Sequence, residues 1–279
     1  MLTPEAIIVD KYALLGRPAH HSLSPKVFKA FALQTHSDID YQTIEPEHDN
    51  LFDAIESFRD QGGKGVNLTA PFKEKAYHFT TNRSDIAEQA QAVNTIAFND
   101  DGTVYADNTD GIGLAQDLIR NHEFSLRKKS ILLIGAGGAG RGITPVLLNY
   151  NPSQLIVANR NMEKAIDLAK MFQLKGKIQG MGFEELNGRP FDLIINATSA
   201  GQRDESLQLP TGIIGKETCC YDLAYGKASH YFTEWARQQG AALVLDGIGM
   251  LVEQAAAAFY LWRGIRVQTA PVIAELRST

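Results

Sequence analysis

The run Gly135-Ala-Gly-Gly-Ala-Gly140 constrains this chain more than any other stretch. It fits the pattern G-x-G-x-x-G and stands between an apolar run, Lys129-Ser-Ile-Leu-Leu-Ile134, and a helical pattern through Val146-Leu-Leu148. A glycine-rich turn between a strand and a helix lets the backbone approach a pyrophosphate closely, and the helix N-terminus receives its charge. The glycines alone are a weak signal. Their position between strand and helix turns a structural turn into a dinucleotide-site expectation.

The next strand, Leu155-Ile-Val-Ala158, runs into Asn159-Arg160. Sites for NAD usually hold the ribose hydroxyls with an acid at this point, and none is present. Arg160 and Lys164 suit the additional 2′-phosphate of NADP, through charge-assisted hydrogen bonds. The plainer alternative is two solvated charges at a helix start. The missing acid also weakens an S-adenosylmethionine reading. Three further strands follow at Phe191-Asp-Leu-Ile-Ile-Asn-Ala-Thr-Ser199, Thr218-Cys-Cys-Tyr-Asp-Leu-Ala-Tyr225 and Ala242-Leu-Val-Leu-Asp246, with Tyr221 and Tyr225 read as interior aromatics. Gly247-Ile-Gly-Met250 then opens a long helix to Trp262, whose apolar face is Leu251, Ala255, Ala258, Phe259 and Trp262. Gln254 falls inside that face. A buried amide without partners costs about 1–3 kcal/mol, so a polar ligand or a buried carbonyl must serve it.

The first part of the chain alternates strand and helix, which predicts a mostly parallel sheet covered by helices. Tyr12-Ala-Leu-Leu-Gly16 and Tyr41-Gln-Thr-Ile-Glu45 read as strands. Ser24-Pro25 opens a helix with Val27, Phe28, Phe31 and Ala32 on one face, and Leu51, Ile55 and Phe58 line the next. Ser24 is an N-cap candidate, but Ser22 and Ser24 can also offer hydroxyls to a carboxylate. Gly65-Val-Asn-Leu-Thr-Ala-Pro-Phe-Lys-Glu-Lys75 reads as strand end, polar turn and helix start, with Pro71 suited to the first helical position. Lys73 then sits where the helix dipole disfavours a positive charge, which makes its amine a candidate for proton chemistry; the plainer alternative is a surface lysine beside an ordinary helix cap. Asn67 and Thr69 precede it on one side. Ala92-Val-Asn-Thr-Ile-Ala97, a turn at Asp100-Asp-Gly102 and Thr103-Val-Tyr-Ala106 form a hairpin that leads to Asp107-Asn-Thr-Asp-Gly111. Asp110 is an N-cap candidate for the helix that follows. Two acids and two polar residues in five positions exceed what a cap needs, and an aspartate beside Lys73 would complete an acid–base pair.

At 279 residues the chain has room for two domains. A net charge of −5 argues against a nucleic-acid partner held on a basic surface. The apolar runs fall short of the roughly 18 residues of a membrane span. The segment Met1 to Asp10 carries acids and no leader pattern. The adjacent cysteines Cys219 and Cys220 suit neither an ordinary disulfide nor a metal cluster, and read as small apolar residues of a buried strand in a reducing cytoplasm. The sequence shows no metal-ligand cluster.

Taken together, His21-Ser-Leu-Ser-Pro25, Asn67-Leu-Thr-Ala-Pro-Phe-Lys73, Ala92-Val-Asn-Thr95, Asp107-Asn-Thr-Asp-Gly111, Gly135-Ala-Gly-Gly-Ala139, Asn159-Arg160, Ile195-Asn-Ala-Thr198, Asp246-Gly-Ile-Gly-Met250 and Gln254 resemble the shikimate dehydrogenase family over nearly the whole chain. The resemblance implies a reversible NADPH-dependent reduction of 3-dehydroshikimate to shikimate, toward chorismate and the aromatic amino acids. It implies an α/β fold of two α/β/α domains with the active site in the cleft between them. Residues 1–109 and 247–279 would form the substrate-binding catalytic domain, and 110–246 the Rossmann NADP-binding domain. By resemblance Lys73 and Asp110 are catalytic. Ser22 and Ser24 hold the substrate carboxylate, and Asn67, Thr69, Lys73, Asn94, Asp110, Tyr225 and Gln254 surround the ring hydroxyls. Gly135, Ala136, Gly137, Gly138, Ala139, Asn159, Arg160, Lys164, Leu223 and Gly247 serve NADP. No metal is implied. The partners implied are the small-molecule substrate alone, with no nucleic acid or membrane, for a cytoplasmic monomer or homodimer. Asn161 and Lys164 stand where many members have threonine and arginine, which implies a weaker phosphate grip. Gly226-Lys-Ala-Ser-His-Tyr231 departs from the family's proline-threonine pattern and implies a changed loop. Two rival readings are a quinate/shikimate dehydrogenase that also accepts NAD, and a non-catalytic regulator that binds NADP or shikimate. The presence of both Lys73 and Asp110 counts against the regulator.

Overall fold

The structure, a computed structural model, describes residues 9–47, 50–186 and 188–278. Most of the N-terminal segment read above as lacking a leader pattern, residues 1–8, lies outside them. The chain divides into two compact units, Met1–Thr109 with Gln254–Thr279, and Asp110–Glu253.

The first unit runs β1 (Asp10–Leu15), α1 (Ser24–Thr35), β2 (Ile39–Ile44), α2 (Leu51–Asp60), β3 (Gly63–Leu68), α3 (Lys73–Phe79), α4 (Asp85–Ala90), β4 (Thr95–Phe98) and β5 (Val104–Asp107). Its strands form one sheet in the order β2-β1-β3-β4-β5. The first three are parallel, and β4 runs against both β3 and β5, so β4 alone reverses direction in this sheet. Side chains alternate across the pleat. Ala13, Leu15, Val66, Leu68 and Ile96 meet Leu51, Ile55 and Phe58 of α2 with Ala76 and Ala87. Tyr12, Gly65 and Asn67 alternate with that set. On this face Tyr12 stacks on Trp262 at 4.5 Å and Phe28 on Tyr41 at 4.2 Å. Burying a side chain of the size of Phe28 contributes about 1.5–3 kcal/mol. A Cβ at Gly65 would stand 2.4 Å from Trp262 Nε1. The bare backbone admits the indole, which donates to the Ile96 carbonyl at 2.9 Å.

The second unit runs α5 (Asp110–Gln116), a π-helical turn (Asp117–Asn121), β6 (Ser130–Ile134), α6 (Gly138–Asn149), β7 (Gln154–Ala158), α7 (Met162–Phe172), β8 (Ile178–Met181), β9 (Phe191–Asn196), β10 (Ile214–Asp222), α8 (His230–Gln238), β11 (Leu243–Leu245) and the start of α9 (Ile248–Arg263). The division between units falls inside α9, and α10 (Ala270–Ser278) completes the first unit. All six strands are parallel in the order β11-β10-β9-β6-β7-β8, the doubly wound Rossmann arrangement.

Several sequence expectations need correction. The reading above has five strands here, and β8 was not among them. Ile178-Gln-Gly-Met lacks an apolar run because Gly180 must let α7 pass: a Cβ there would lie 2.2 Å from the Ala165 carbonyl oxygen. The strand expected at Thr218–Tyr225 begins at Ile214 and ends at Asp222. Tyr221 is interior as expected, and Tyr225 lies beyond the strand, partly buried. Cys219 and Cys220 are buried free thiols, and burial pushes the Cys219 thiol up to about 12. Leu251 is only partly buried, with Val252 inside instead.

Candidate active site

In the first unit the site begins at the loop into α1. Ser24 is not the N-cap. Leu23 occupies that position and Ser24 is the first helical residue, almost wholly buried. The acceptor comes from upstream: Ser22 Oγ accepts from the Ser24 N–H at 3.1 Å and donates to Ser24 Oγ at 3.1 Å. A hydroxyl two residues ahead thus serves one of the orphan donors of the first turn. The loop is held by Glu45, which accepts from Ala19 N at 2.6 Å, His20 N at 2.8 Å and His20 Nδ1 at 2.9 Å. These bonds, that from Ala19 foremost, hold the Glu45 carboxyl down at about 2.

Asn67, the penultimate residue of β3, lies opposite Thr95 of β4. Its Oδ1 accepts from the Tyr41 hydroxyl at 2.8 Å, and its Nδ2 donates to Thr95 Oγ1 at 3.0 Å and to the Asn94 carbonyl at 3.3 Å. Thr95 Oγ1 donates onward to Asn94 Oδ1 at 2.9 Å. Asn94 Oδ1 also accepts from Thr109 N at 2.8 Å. Asn94 Nδ2 donates to Thr109 Oγ1 at 3.0 Å and to Gln254 Oε1 at 3.1 Å. Gln254, the amide inside an apolar helix face, therefore finds side-chain partners contributed by the hairpin. Tyr41 is hydrogen-bonded to Ser24 as well, and burial raises its phenol well above the ordinary range. Ser22, Ser24, Asn67, Asn94 and Gln254 are thus joined in one polar network.

Thr69 follows β3, and its methyl lies over Gly16, where a Cβ would stand 2.2 Å from Thr69 Cγ2. Phe72 N donates to the Thr69 carbonyl at 2.9 Å, closing a turn that contains Pro71. Pro71 is therefore a turn residue rather than the first helical one, since α3 starts at Lys73 after a cap at Phe72. The Lys73 carbonyl accepts from Val93 N at 2.9 Å, which ties this helix start to the stretch that supplies Asn94.

The network includes Tyr41, Thr95 and Thr109, which the sequence reading did not single out. Thr109 had a signal, because it lies in the five-residue polar run around Asp110. Thr95 had one too, as the last residue of the motif Ala92-Val-Asn-Thr95, whereas Tyr41 had none, since it reads as an ordinary strand residue until strand pairing is known.

In the second unit Asp110 is the first residue of α5 rather than a preceding cap, and it is buried. A Cβ at Gly111 would meet Val146 Cγ2 at 2.5 Å, so α5 lies directly on α6. In the glycine turn, Gly135 has φ +109°, and a Cβ there would lie 3.0 Å from Ala197 backbone atoms. A Cβ at Gly140 would stand 2.3 Å from the Gly135 carbonyl oxygen, so the helix packs onto its own turn. Gly137 differs: nothing lies within 4 Å of its Cβ position. It caps α6 without a side-chain acceptor, and Gly138 and Ala139 beside it are partly exposed. This open helix start fits a pyrophosphate.

The strand order reverses beside β6, between β7 and β9, where such sheets bind ligands at their carboxyl ends. Asn159 and Arg160 follow β7 there, next to the glycine turn, whose Gly135 N donates to the Ala158 carbonyl at 2.8 Å. Asn161 caps α7 by accepting from Lys164 N at 3.4 Å, and Arg160 and Lys164 are exposed. At the other flank Leu223 and Gly247 meet. Gly247 N donates to the Ala224 carbonyl at 2.9 Å, and a Cβ at Gly247 would stand 2.1 Å from the Leu223 oxygen. Among the described residues no group of three or more His, Cys, Asp or Glu could hold a metal ion.

Three stretches match family profiles: residues 14–96 the shikimate dehydrogenase substrate binding domain, 114–203 the shikimate/quinate 5-dehydrogenase profile, and 247–277 the shikimate 5′-dehydrogenase C-terminal domain. The chain is 50% identical over 270 residues to the shikimate dehydrogenase (NADP(+)) of Coxiella burnetii, covering 97% of this chain and 99% of that one. The crystal structure of shikimate dehydrogenase from Aquifex aeolicus superposes with a TM-score of 0.84 at 32% identity, covering 99% and 98% of the two chains. Shikimate 5-dehydrogenase from Thermus thermophilus in complex with NADP(H) and shikimate gives 0.82 at 27%, covering 97% and 99%.

Proposed function

This chain belongs to the shikimate dehydrogenase family, and we propose that it reduces 3-dehydroshikimate to shikimate with NADPH, reversibly, on the route to chorismate and the aromatic amino acids. The observation that carries the reading is the polar network of the first unit. Asn67, Asn94 and Gln254, up to 187 positions apart, share hydrogen bonds at the carboxyl end of β3. Such a set suits a small molecule rich in oxygens, because each substrate hydroxyl is discriminated by pairing it.

In this reading the first unit binds substrate, with Ser22 and Ser24 on its carboxylate and Asn67, Thr69, Asn94 and Gln254 on the ring. Tyr225 serves a ring hydroxyl. Lys73 donates a hydrogen bond or proton to the carbonyl oxygen being reduced, and Asp110 orients the amine and balances its charge. Bound NADPH supplies the hydride. The glycine turn and the start of α6 would hold its pyrophosphate, Arg160 and Lys164 its 2′-phosphate, and Leu223 with Gly247 the nicotinamide flank. No acid stands at the end of β7, which supports NADP over NAD. We place the enzyme in the cytoplasm as a monomer or homodimer. Among the described residues no helix is long and apolar enough to cross a membrane.

The test is absorbance at the reduced-nicotinamide band, with shikimate and quinate each offered with NADP and with NAD. Reduction that is fast only with shikimate and NADP is the expected result. Comparable rates with quinate or NAD would move the chain to the quinate/shikimate enzymes. Ligand binding without turnover would move it to the regulators.

A further inference from the structure

Asp222 closes β10 and has no solvent exposure. Among the described residues no basic side chain pairs with it. Burial, with some repulsion from Asp246, lifts its carboxyl to about 7. Glu205 and Tyr231 line a cavity of about 10 Å³ beside it. An acid kept inside without a counter-charge opposes folding unless hydrogen bonds compensate. Here they come from two directions. Asp222 Oδ2 accepts from Asn196 Nδ2 at 2.9 Å, and Oδ1 accepts from Ala224 N at 2.8 Å.

Each partner leads to one flank of the cofactor half. Asn196 Oδ1 accepts from Thr198 N at 3.1 Å and Thr198 Oγ1 at 2.8 Å, which shapes the turn that lies against Gly135. Ala224 receives the Gly247 N–H on its carbonyl and is preceded by Leu223, whose own N–H goes to the Asn196 carbonyl at 2.9 Å. We propose that Asp222 is a positioning residue for the cofactor half of the site, tying the turn against Gly135 to the loop that carries Leu223. The proposal rests on the NADP reading above. Its effect runs through Asn196 and Ala224, the partners of its two oxygens.

The hydrogen-bond directions give a sharp test. In Asp222→Asn the side-chain oxygen still serves Ala224 N, but the new amide faces the amide of Asn196, donor against donor. The reciprocal pair Asp222→Asn with Asn196→Asp restores every bond: the new amide donates to the new carboxylate, whose other oxygen takes both Thr198 donors. NADP binding is measured by calorimetric titration of the wild type, D222N, N196A and the D222N/N196D pair, with thermal unfolding alongside. We expect NADP affinity to fall about tenfold in D222N and in N196A, as for one lost hydrogen bond to a charged group. The exchanged pair should return to within about threefold of wild type. Wild-type-like affinity in D222N, whatever its thermal stability, would overturn the proposal. So would failure of the exchanged pair to recover while folded. Should D222N not fold, wild-type affinity in N196A overturns it equally. A wild-type chain that binds no NADP would instead remove the proposed function, and this inference with it.

Discussion

The Tyr41 hydroxyl donates to Asn67 Oδ1 at 2.8 Å, joining a residue on β2 to one at the end of β3. Asn67 is largely buried, so its oxygen loses a protein partner that solvent replaces poorly once that donor is gone. Tyr41→Phe keeps the ring stacked on Phe28 and removes only the hydroxyl. We expect a stability loss of about 1–3 kcal/mol in urea unfolding, the penalty of a buried unsatisfied acceptor. The freed amide of Asn67 should also raise the KM for shikimate several-fold with little change in kcat. An unchanged KM would separate Tyr41 from the substrate site.

Lys73 starts α3, and its backbone carbonyl accepts from Val93 N, a bond that an alanine keeps. Lys73→Ala should leave unfolding near that of the wild type and cut kcat by about 10²–10⁴, the usual range for losing a general acid. Steady-state turnover of shikimate with NADP checks it; near-normal turnover would remove the catalytic role.

Arg160 is exposed at the end of β7, where the 2′-phosphate is expected. Arg160→Ala should weaken NADP binding by about tenfold or more, the worth of one charge-assisted hydrogen bond, and leave NAD nearly unaffected. The NADP loss should shrink at high salt. Equal losses with the two cofactors in a binding titration would refute the assignment.

Glu45 fastens the loop that presents Ser22, and the hydrogen bonds it accepts are stronger to the carboxylate than to the protonated acid. Its folded value of about 2 lies below the unfolded value near 4.3. The unfolded chain therefore binds more protons in that window, and stability rises with pH. The contribution is complete above about pH 5 and is lost as pH falls toward 2. Glu45→Gln should flatten the slope of the urea midpoint between pH 3 and 5. A slope identical to the wild type would show that the carboxylate bonds do not stabilise the fold.

Much of this molecule is legible residue by residue. The glycine turn announces itself because each position answers a local demand: a positive φ at Gly135, close packing at Gly140 and an open helix start at Gly137. Strands with continuous apolar runs, such as Ile131–Ile134, could be read because both faces of a parallel sheet are covered. By contrast β8 was not visible, since Gly180 is dictated by the passage of α7 rather than by β propensity. Ser24 and Pro71 were each displaced from their expected helix positions, because an upstream hydroxyl and a closed turn met the local hydrogen bonds first.

The two α/β patterns, the dinucleotide turn, the absence of an acid after Ala158 and the residue types available for the chemistry can all be read along the chain. Those properties depend on neighbours along the chain, through dihedral limits, helix capping and alternation. Tertiary structure alone decided that Tyr41, Asn67, Asn94, Thr109 and Gln254 share one network, and that Asp222 links Asn196 to Ala224. A buried polar group must find a partner wherever the fold brings one. Which donor meets which acceptor follows from strand register and packing, not from sequence distance.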